Sequence, residues 1–415
     1  MQSIRHRTLD NGLHIITESI NDVRTAAIEW TVPAGVATNE FDGDSVLLAE
    51  LLYRGAGGLS AREHTDKLDN LGLRRDIGCG VRLFKFRGLM LGSNVVEAIE
   101  PVADMLLRPA LPSGGLEASR QLCLQALDSI EDNPSRLVGV SLNKLHHPPP
   151  FNRSTYGECK NIESATINRL KRVHDNSFRP SGSILSVAGS VDHDAVCSEI
   201  QTHTDGWRGC VVEPSEASVP SRGVHYIEQD SSQVHIGLAF DAPQAVDSES
   251  ILERIAISIF GGATSGRLFT EVRQKRSLCY SVHAAYQVSR DHSTVRVHAG
   301  TTPKGATETI EVILDQLELL RNGISKEELS RAVTRLRAGT VMQGESTAAR
   351  ACALLGDQFT LGKTRTLQQR LDELSKVSLE GVNAYLQKRV FGSMTLVVLG
   401  PSGTEVDELR ISGSA

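Results

Sequence analysis

The cysteines form no pattern. Cys79, Cys123, Cys159, Cys197, Cys210, Cys279 and Cys352 are scattered along the chain and contain no Cys-x-x-Cys unit. An odd, dispersed set argues against a zinc ribbon and a disulfide framework, and it suits a reducing compartment. A long apolar run is also missing, so no membrane helix is expected. The chain opens Met1-Gln2-Ser3-Ile4-Arg5-His6 and runs straight into strand-like sequence, with no signal or transit pattern. A cytoplasmic bacterial protein is the expectation. Charge of one sign is not in large excess: a formal net charge of −6 argues against nucleic acid or an anionic membrane as partner.

What is there is ordinary in bulk. The 415 residues are 40% hydrophobic and 23% charged, as in a globular protein of two or three domains. A core of that size needs no disulfide or metal to hold it.

The chain repeats itself. Leu13-His14-Ile15-Ile16 reappears as Val224-His225-Tyr226-Ile227, an offset of 211 residues that Val23 and Val234 share. Leu185-Ser186-Val187-Ala188-Gly189 and Leu396-Val397-Val398-Leu399-Gly400 keep the same offset, 400 − 189 = 211. Two such units are expected, 1–213 and 222–415, joined by the polar, proline-punctuated stretch 214–221. In the first, strands are expected at 6–18, with a hairpin-type turn at Asp10-Asn11-Gly12, and at 26–33, 81–91 and 183–189. Helices are expected at 45–53, from Ser60, where Ser60 and Glu63 read as a capping box, and at 95–107 and 115–131. The second half has strand patterns at 224–240, 280–299 and 394–400, a helix at 307–321, and a further helix capped by Ser325 and Glu328. Grouped strands and grouped helices predict an α+β fold, each half a mainly antiparallel sheet packed against helices.

Several segments resemble one family in the right order over nearly the whole chain. They are the Leu9-Asp10-Asn11-Gly12-Leu13 opening, Leu51-Leu52-Tyr53-Arg54-Gly55-Ala56, Glu131-Asp132-Asn133-Pro134, Arg179-Pro180 before the closing strand, 261–269, and 273–282. Together they are similar to the small bacterial M16 zinc peptidases, relatives of pitrilysin and the mitochondrial processing peptidase. The resemblance implies two homologous domains of the M16, LuxS-like metallohydrolase fold, and chains that associate as clam-like pairs.

That family's chemistry needs His-x-x-Glu-His on a helix. Two imidazoles four residues apart grip zinc, the glutamate between them polarises the metal-bound water, and a later helix adds a glutamate ligand. Aligning on 51–55 places the motif at Val46-Leu47-Leu48-Ala49-Glu50. Val46 takes the first histidine position, Ala49 the general base and Glu50 the second histidine. The third ligand falls at Ala126, 126 − 50 = 76 residues on, or at Gln125. All four positions are changed, so no metal is expected in this chain.

Two other clusters are weighed and set aside. Glu63-His64 lacks a leading histidine and is explained by the capping box. His146-His147, beside Pro148-Pro149-Pro150, is read as a loop pair that shares no helical face. What is kept is Arg273 and Tyr280, seven residues apart (280 − 273 = 7). In competent relatives an arginine and a tyrosine at this spacing hold the substrate backbone and the developing oxyanion, since a guanidinium and a phenol both donate to a carbonyl. The resemblance therefore implies a non-catalytic subunit of a heterodimeric zinc endopeptidase. Its partner would be a homologous M16 subunit that carries His-x-x-Glu-His and the zinc, and its substrates unfolded peptides. Two alternatives stay open: a structural protein, and a peptide-binding pseudo-peptidase with no proteolytic role.

Overall fold

The computed structural model describes residues 3–403. In the first half, β1 (Ser3–Thr8) and β2 (His14–Ser19) form the expected hairpin. Gly12 takes φ +92°, and Asn11 Oδ1 accepts the Leu13 N–H at 3.0 Å, so the Asn-Gly pair turns the chain as its chemistry predicts. There follow β3 (Thr25–Val32), α1 (Asp44–Leu51), α2 (Ala61–Asn70), β4 (Arg74–Cys79), β5 (Phe84–Leu91), α3 (Val95–Leu107), α4 (Leu116–Glu131), α5 (Pro134–His146), α6 (Cys159–Glu163), α7 (Ile167–Ser177), β6 (Ile184–Gly189) and α8 (His193–His203). The second half runs β7 (Gly223–Glu228), β8 (Val234–Asp241), α9 (Ser250–Gly261), β9 (Cys279–Gln287), β10 (Thr294–Thr301), α10 (Ala306–Arg321), α11 (Lys326–Gly344), α12 (Thr347–Leu361), α13 (Leu367–Ser375), α14 (Leu379–Lys388) and β11 (Thr395–Gly400). Both expected capping boxes form: Ser60 with Glu63, and Ser325 with Glu328. Among the described residues no helix is long and apolar enough to cross a membrane.

The strands make two sheets, ordered β1-β2-β6-β3-β5-β4 and β7-β11-β8-β10-β9. Apart from β1, which has no counterpart, the two orders correspond strand for strand. In each, one parallel pair (β2/β6, β7/β11) joins an otherwise antiparallel ladder. This is an α+β fold of two similar halves. The repeat offset is not uniform, however. With Gly189 set on Gly400, pairing equates His14 with Gly223, an offset of 223 − 14 = 209, rather than with His225. It likewise equates Ala26, not Val23, with Val234. Loops of different length separate the strands in the two halves, so the offset of 211 holds for β6/β11 and β5/β10 but not for the other strand pairs.

By packing, the chain divides into two compact units that are not contiguous in sequence. One comprises Met1–Ser129, Pro149–Ser218 and Gln343–Thr364; the other comprises Ile130–Pro148, Val219–Met342 and Arg365–Ala415. Thus α5 belongs to the second unit and α12 to the first. The break at Glu131-Asp132-Asn133-Pro134 makes the first exchange possible. The Asn133 side chain accepts the Arg136 N–H, and Pro134, which has no N–H to lose, starts α5 on a new course.

The exchanged helices cover the back faces of the sheets. In the first unit, the front residues Ile15, Ile28, Trp30, Val32, Leu185 and Val187 pack with Leu47, Leu48, Val102, Leu106, Val196 and Ile200. The back residues Ile16 and Ile184 meet Leu354 and Leu355 of α12, and Ala27 and Ala188 meet Ala351. Beside them, Arg350 donates from Nε and Nη2 to both carboxylate oxygens of Glu18, each at 2.7 Å, with both side chains buried. In the second unit, Ile236, Leu238, Phe240, Val295, Val297, Leu396 and Val398 face Ile255, Phe260, Ile310, Ile313 and Leu386. On its back, Ala239, Val397 and Leu399 pack with Val138 and Leu142 of α5. Here α5 lies so close that a Cβ on Gly237 would come within 2.5 Å of Val138 Cγ1, so glycine is required.

Arg350→Ala should cost the first unit about 3–5 kcal/mol, because it leaves the Glu18 carboxylate buried and unpaired. Replacing both residues by apolar side chains of similar volume should recover most of that. Urea titration of the two variants measures both. A second expectation concerns acid. Burial, and then the neighbouring Arg296, push the His147 imidazole down from 6.5 to about 3. Burial, then His283 and His235, push that of His298 down to about 4. A histidine whose folded pKa lies below its unfolded one is held neutral. Its contribution is therefore full above about pH 6.5 and is lost as pH falls through the window below. Melting temperature measured from pH 7.5 to 4 should fall monotonically, and mutating His147 to a neutral isostere should flatten the fall.

Candidate functional site

Helix α1 is a packing helix. Gly43 at φ +117° precedes it, and the carboxylate of Asp44 in its first turn is buried against Arg169 of α7 at 2.8 Å. Leu47, Leu48 and Leu51 are fully buried. Val46 packs against the same core and Ala49 is buried in it, so two of the three motif positions present only aliphatic carbon. Glu50 is half-buried. Burial raises its carboxyl pKa, and Arg54 on the next turn partly opposes the rise. On α4, Ala126 and Gln125 are both exposed.

Sequence reasoning missed what lies between them. One turn before Ala126, Cys123 is buried, and its thiol is pushed up to about 12 by burial, then by Glu50 and Cys79. Cys79, on β4, is likewise pushed up to about 12 by burial. Thiols with such pKa values stay protonated and are poor metal ligands. One carboxylate and two thiols do not fit the zinc of the M16 chemistry. Among the described residues, no group of three His, Cys, Asp or Glu is arranged to hold a metal ion. No motif announces this neighbourhood, because Cys79 and Cys123 come together only through packing.

Arg273 and Tyr280 are brought together. Arg273 sits in a π-helical turn, Phe269–Gln274. The chain then reverses through Ser277 at φ +55°, where the Ser277 N–H bonds the Arg273 carbonyl and the Leu278 N–H the Val272 carbonyl. This tight return sets Tyr280 at the start of β9, opposite Arg273. The guanidinium is stacked between the Phe269 and Tyr280 rings, 4.9 Å from each centroid. Contact of the guanidinium with the ring faces leaves its N–H edge available to donate elsewhere. Tyr280 is 81% exposed, so its ring is open to solvent apart from the contact with Arg273.

The two clusters set aside above both have structural roles. His64 is buried and its Nε2 meets the Pro101 carbonyl at 3.0 Å, while Glu63 completes the cap on Ser60. His146 is not in a loop, as the sequence suggested, but is the last residue of α5. Its Nδ1 meets Thr395 Oγ1 at 2.9 Å and its Nε2 lies 3.3 Å from Asp241.

Comparison with known proteins bears on the fold and the family. The family profile described as Peptidase M16 inactive domain matches residues 164–336, a span that contains Arg273 and Tyr280 but not α1. An uncharacterized zinc protease of Mycobacterium tuberculosis is 26% identical over 417 residues, covering 97% of this chain and 94% of its own. Another, from Bacillus subtilis, is 24% identical, covering 96% and 99%. The chain is similar to M16 zinc proteases over nearly its whole length. Solved structures share its fold from end to end. The peptidase M16 inactive domain of Pseudomonas fluorescens superposes with TM-score 0.86 at 19% identity, covering 96% of this chain and 98% of its own. A protease from Helicobacter pylori gives 0.88 at 17%, covering 97% and 100%. Within this M16 fold the chain departs from the zinc chemistry at α1: no two of its histidines stand four residues apart anywhere in the sequence.

Thiol labelling tests the neighbourhood of Glu50. In the native protein a disulfide reagent should modify exposed Cys159 and Cys210 quickly and leave Cys79 and Cys123 untouched until denaturant is added, as peptide mapping would record.

Proposed function

We propose that this chain is the non-catalytic subunit of a heterodimeric zinc endopeptidase. It forms half of the peptide chamber and supplies Arg273 and Tyr280 to a zinc site held by a homologous subunit with His-x-x-Glu-His. The observation that carries this reading is the contrast between the two sites. At α1 the donor groups are gone, with Val46, Ala49 and Ala126 in their places. At the start of β9, Arg273 and Tyr280 are in cation–π contact, Tyr280 exposed and Arg273 partly exposed. An arginine clamped between two rings is ordered before any ligand arrives, which lowers the entropic cost of holding a carbonyl. Relatives bearing zinc-protease names support a peptidase context. Zinc in this reading belongs to the partner, the substrate is unfolded peptide, and the compartment is the bacterial cytoplasm.

The experiment is to isolate the chain with its partner from the native host and assay peptide cleavage on separated and recombined subunits. Arg273→Ala and Tyr280→Phe should each lower turnover about a hundred- to thousandfold, some 2.7–4 kcal/mol in the transition state, at unchanged zinc content and complex mass. Glu50→Ala should leave activity and zinc content unchanged. Full activity in both Arg273 and Tyr280 variants would remove them from the reaction. The chain would then be a structural or peptide-binding pseudo-peptidase. A raised KM at unchanged kcat would confine the pair to holding peptide in the ground state.

A further inference from the structure

Two adjoining cavities open along α11 in the second unit. One, of about 640 Å³, lies between the π-helical turn, the end of α10 and the first turns of α11. The other, of about 400 Å³, lies between the end of α9 and the next turns of α11. They share Ser265, Glu328 and Arg331, so they are two parts of one groove. The carboxylates in its walls are already engaged. Glu328 accepts from Arg267 Nε and Nη2 at 2.7 and 3.0 Å, and from the Ser325 N–H at 2.8 Å. Glu271 accepts from Lys275 Nζ at 2.7 Å and from Arg276 Nη1 at 2.9 Å.

Two guanidinium groups of the groove have no carboxylate of their own. Arg331 is exposed and makes no hydrogen bond or ion pair among the described residues. Glu327 and Glu328 on the preceding turn feel its charge, but neither pairs with it. Arg335, one turn further on, is half-buried. Its Nη2 donates to the Ser258 carbonyl at 2.8 Å and to the Ser258 hydroxyl, which closes the end of α9. Its Nε and Nη1 make no hydrogen bond among the described residues and are not sealed from solvent. The hydroxyls of Ser265, Ser330 and Thr334 line the same groove and make no side-chain hydrogen bond among the described residues. A cleft that gathers cations and open donors, with its acids already paired, draws in anions.

We infer that this groove binds an extended acidic peptide segment, with two carboxylates set on Arg331 and Arg335. The two arginines stand one helical turn apart on α11, so their side chains leave the same face about 6 Å from each other. In an extended chain, side chains two residues apart also share a face, at a separation of about 6.5 Å. An acidic residue at every second position therefore matches the pitch of the helix. The guanidinium fork takes a carboxylate through two N–H groups, and the hydroxyls of Ser330 and Thr334 add donors beside it. Ile259, Ala332 and Ala338 give the acidic side chains an apolar wall for their methylene stems. The wider cavity, past Gln316 and Thr270, has room for the chain that continues beyond Arg331. Such binding needs no zinc, no partner subunit and no cleavage, so it stands or falls apart from the proposed peptidase role.

The test is fluorescence anisotropy of a labelled, end-capped peptide with a Glu-Ala-Glu centre, titrated with the full chain at neutral pH and low salt. It should bind saturably, whereas Gln-Ala-Gln and Lys-Ala-Lys peptides should not. Placing the two acids at adjacent positions should weaken binding, because their side chains then point to opposite faces. Raising sodium chloride to about 0.5 M should weaken it too, by screening. Arg331→Gln and Arg335→Gln should each cost about tenfold or more in affinity. Arg337→Gln, outside both cavities, should change nothing. Arg331 bonds nothing in the fold, so its variant should melt as wild type does, and it decides the matter if Arg335→Gln loosens the end of α9. Undiminished binding by folded Arg331→Gln, or equal binding of the Gln-Ala-Gln peptide, would overturn the inference. So would equal binding of the adjacent-acid peptide, or complete displacement by equimolar inorganic phosphate, which marks a site for one small oxyanion.

Discussion

A sheet has two faces, and the helices that follow its strands in sequence cover only one. In each unit of this protein the second face is closed by a helix that the chain supplies from the other half of its sequence: α12 for the first sheet and α5 for the second. The rest of the fold depends on that closure. It explains why both back faces are built from small residues where the incoming helix lies closest. Ala27, Ala188 and Ala351 serve the first, and Gly237 and Ala239 serve the second. It explains the proline start of α5. It also explains why a fully buried bidentate ion pair, Glu18 with Arg350, joins a strand to an exchanged helix. Apolar contact alone fixes such a helix loosely in rotation and register. A buried charge that can be satisfied in only one position is a strong constraint on both, whatever its net contribution to stability.

How much of this was legible in the sequence follows from how local each signal is. The Asn-Gly hairpin, both capping boxes and the closing strands at Gly189 and Gly400 are decided by a few adjacent residues, and all appear as read. Strand β4 was missed because Arg74-Arg75-Asp76-Ile77-Gly78-Cys79 is a polar edge strand whose buried side is a single isoleucine. It is held by pairing with β5, not by a pattern of its own. The helix exchange was not legible. The sequence around 134–146 is amphipathic, but amphipathicity does not say which sheet the apolar side will meet. The uniform 211-residue offset failed in the same way. His14 and His225 share an identity, whereas the ladder aligns backbones and sets His14 on Gly223.

The degenerate α1 helix illustrates what a fold needs and what chemistry needs. Leu47, Leu48 and Leu51 alternate with the motif positions and hold the helix in the core. The metal-facing positions can therefore become valine and alanine without loss of the scaffold, because a domain of this size has core enough without a metal. The sequence places the motif positions at Val46, Ala49 and Glu50 from the neighbouring 51–55 segment, which is local. It could not foresee that Cys79 and Cys123 would flank Glu50, which depends on a strand and a helix far apart in the chain. The Arg273–Tyr280 pair was legible because seven residues and one tight return suffice to join them.

Comparing one row of the two sheets shows how duplicated halves diverge. In the first sheet the row reads Ser186, Glu29, Arg87, Asp76 across β6, β3, β5 and β4. Arg87 lies 3.4 Å from Glu29 and 3.6 Å from Asp76, a cross-strand charge ladder. The equivalent row of the second sheet reads Val397, Gly237, His298, His283. The backbone pairing is the same, but the charges are gone. Glycine at 237 is what the close approach of α5 demands, and it removes the acid that would otherwise face position 298. An arginine at 298 would then sit half-buried with no acid beside it, at a cost that an uncharged imidazole avoids. A single packing requirement, the seat of an exchanged helix, thus favours replacing an ion-pair ladder with neutral nitrogen donors on the same strands.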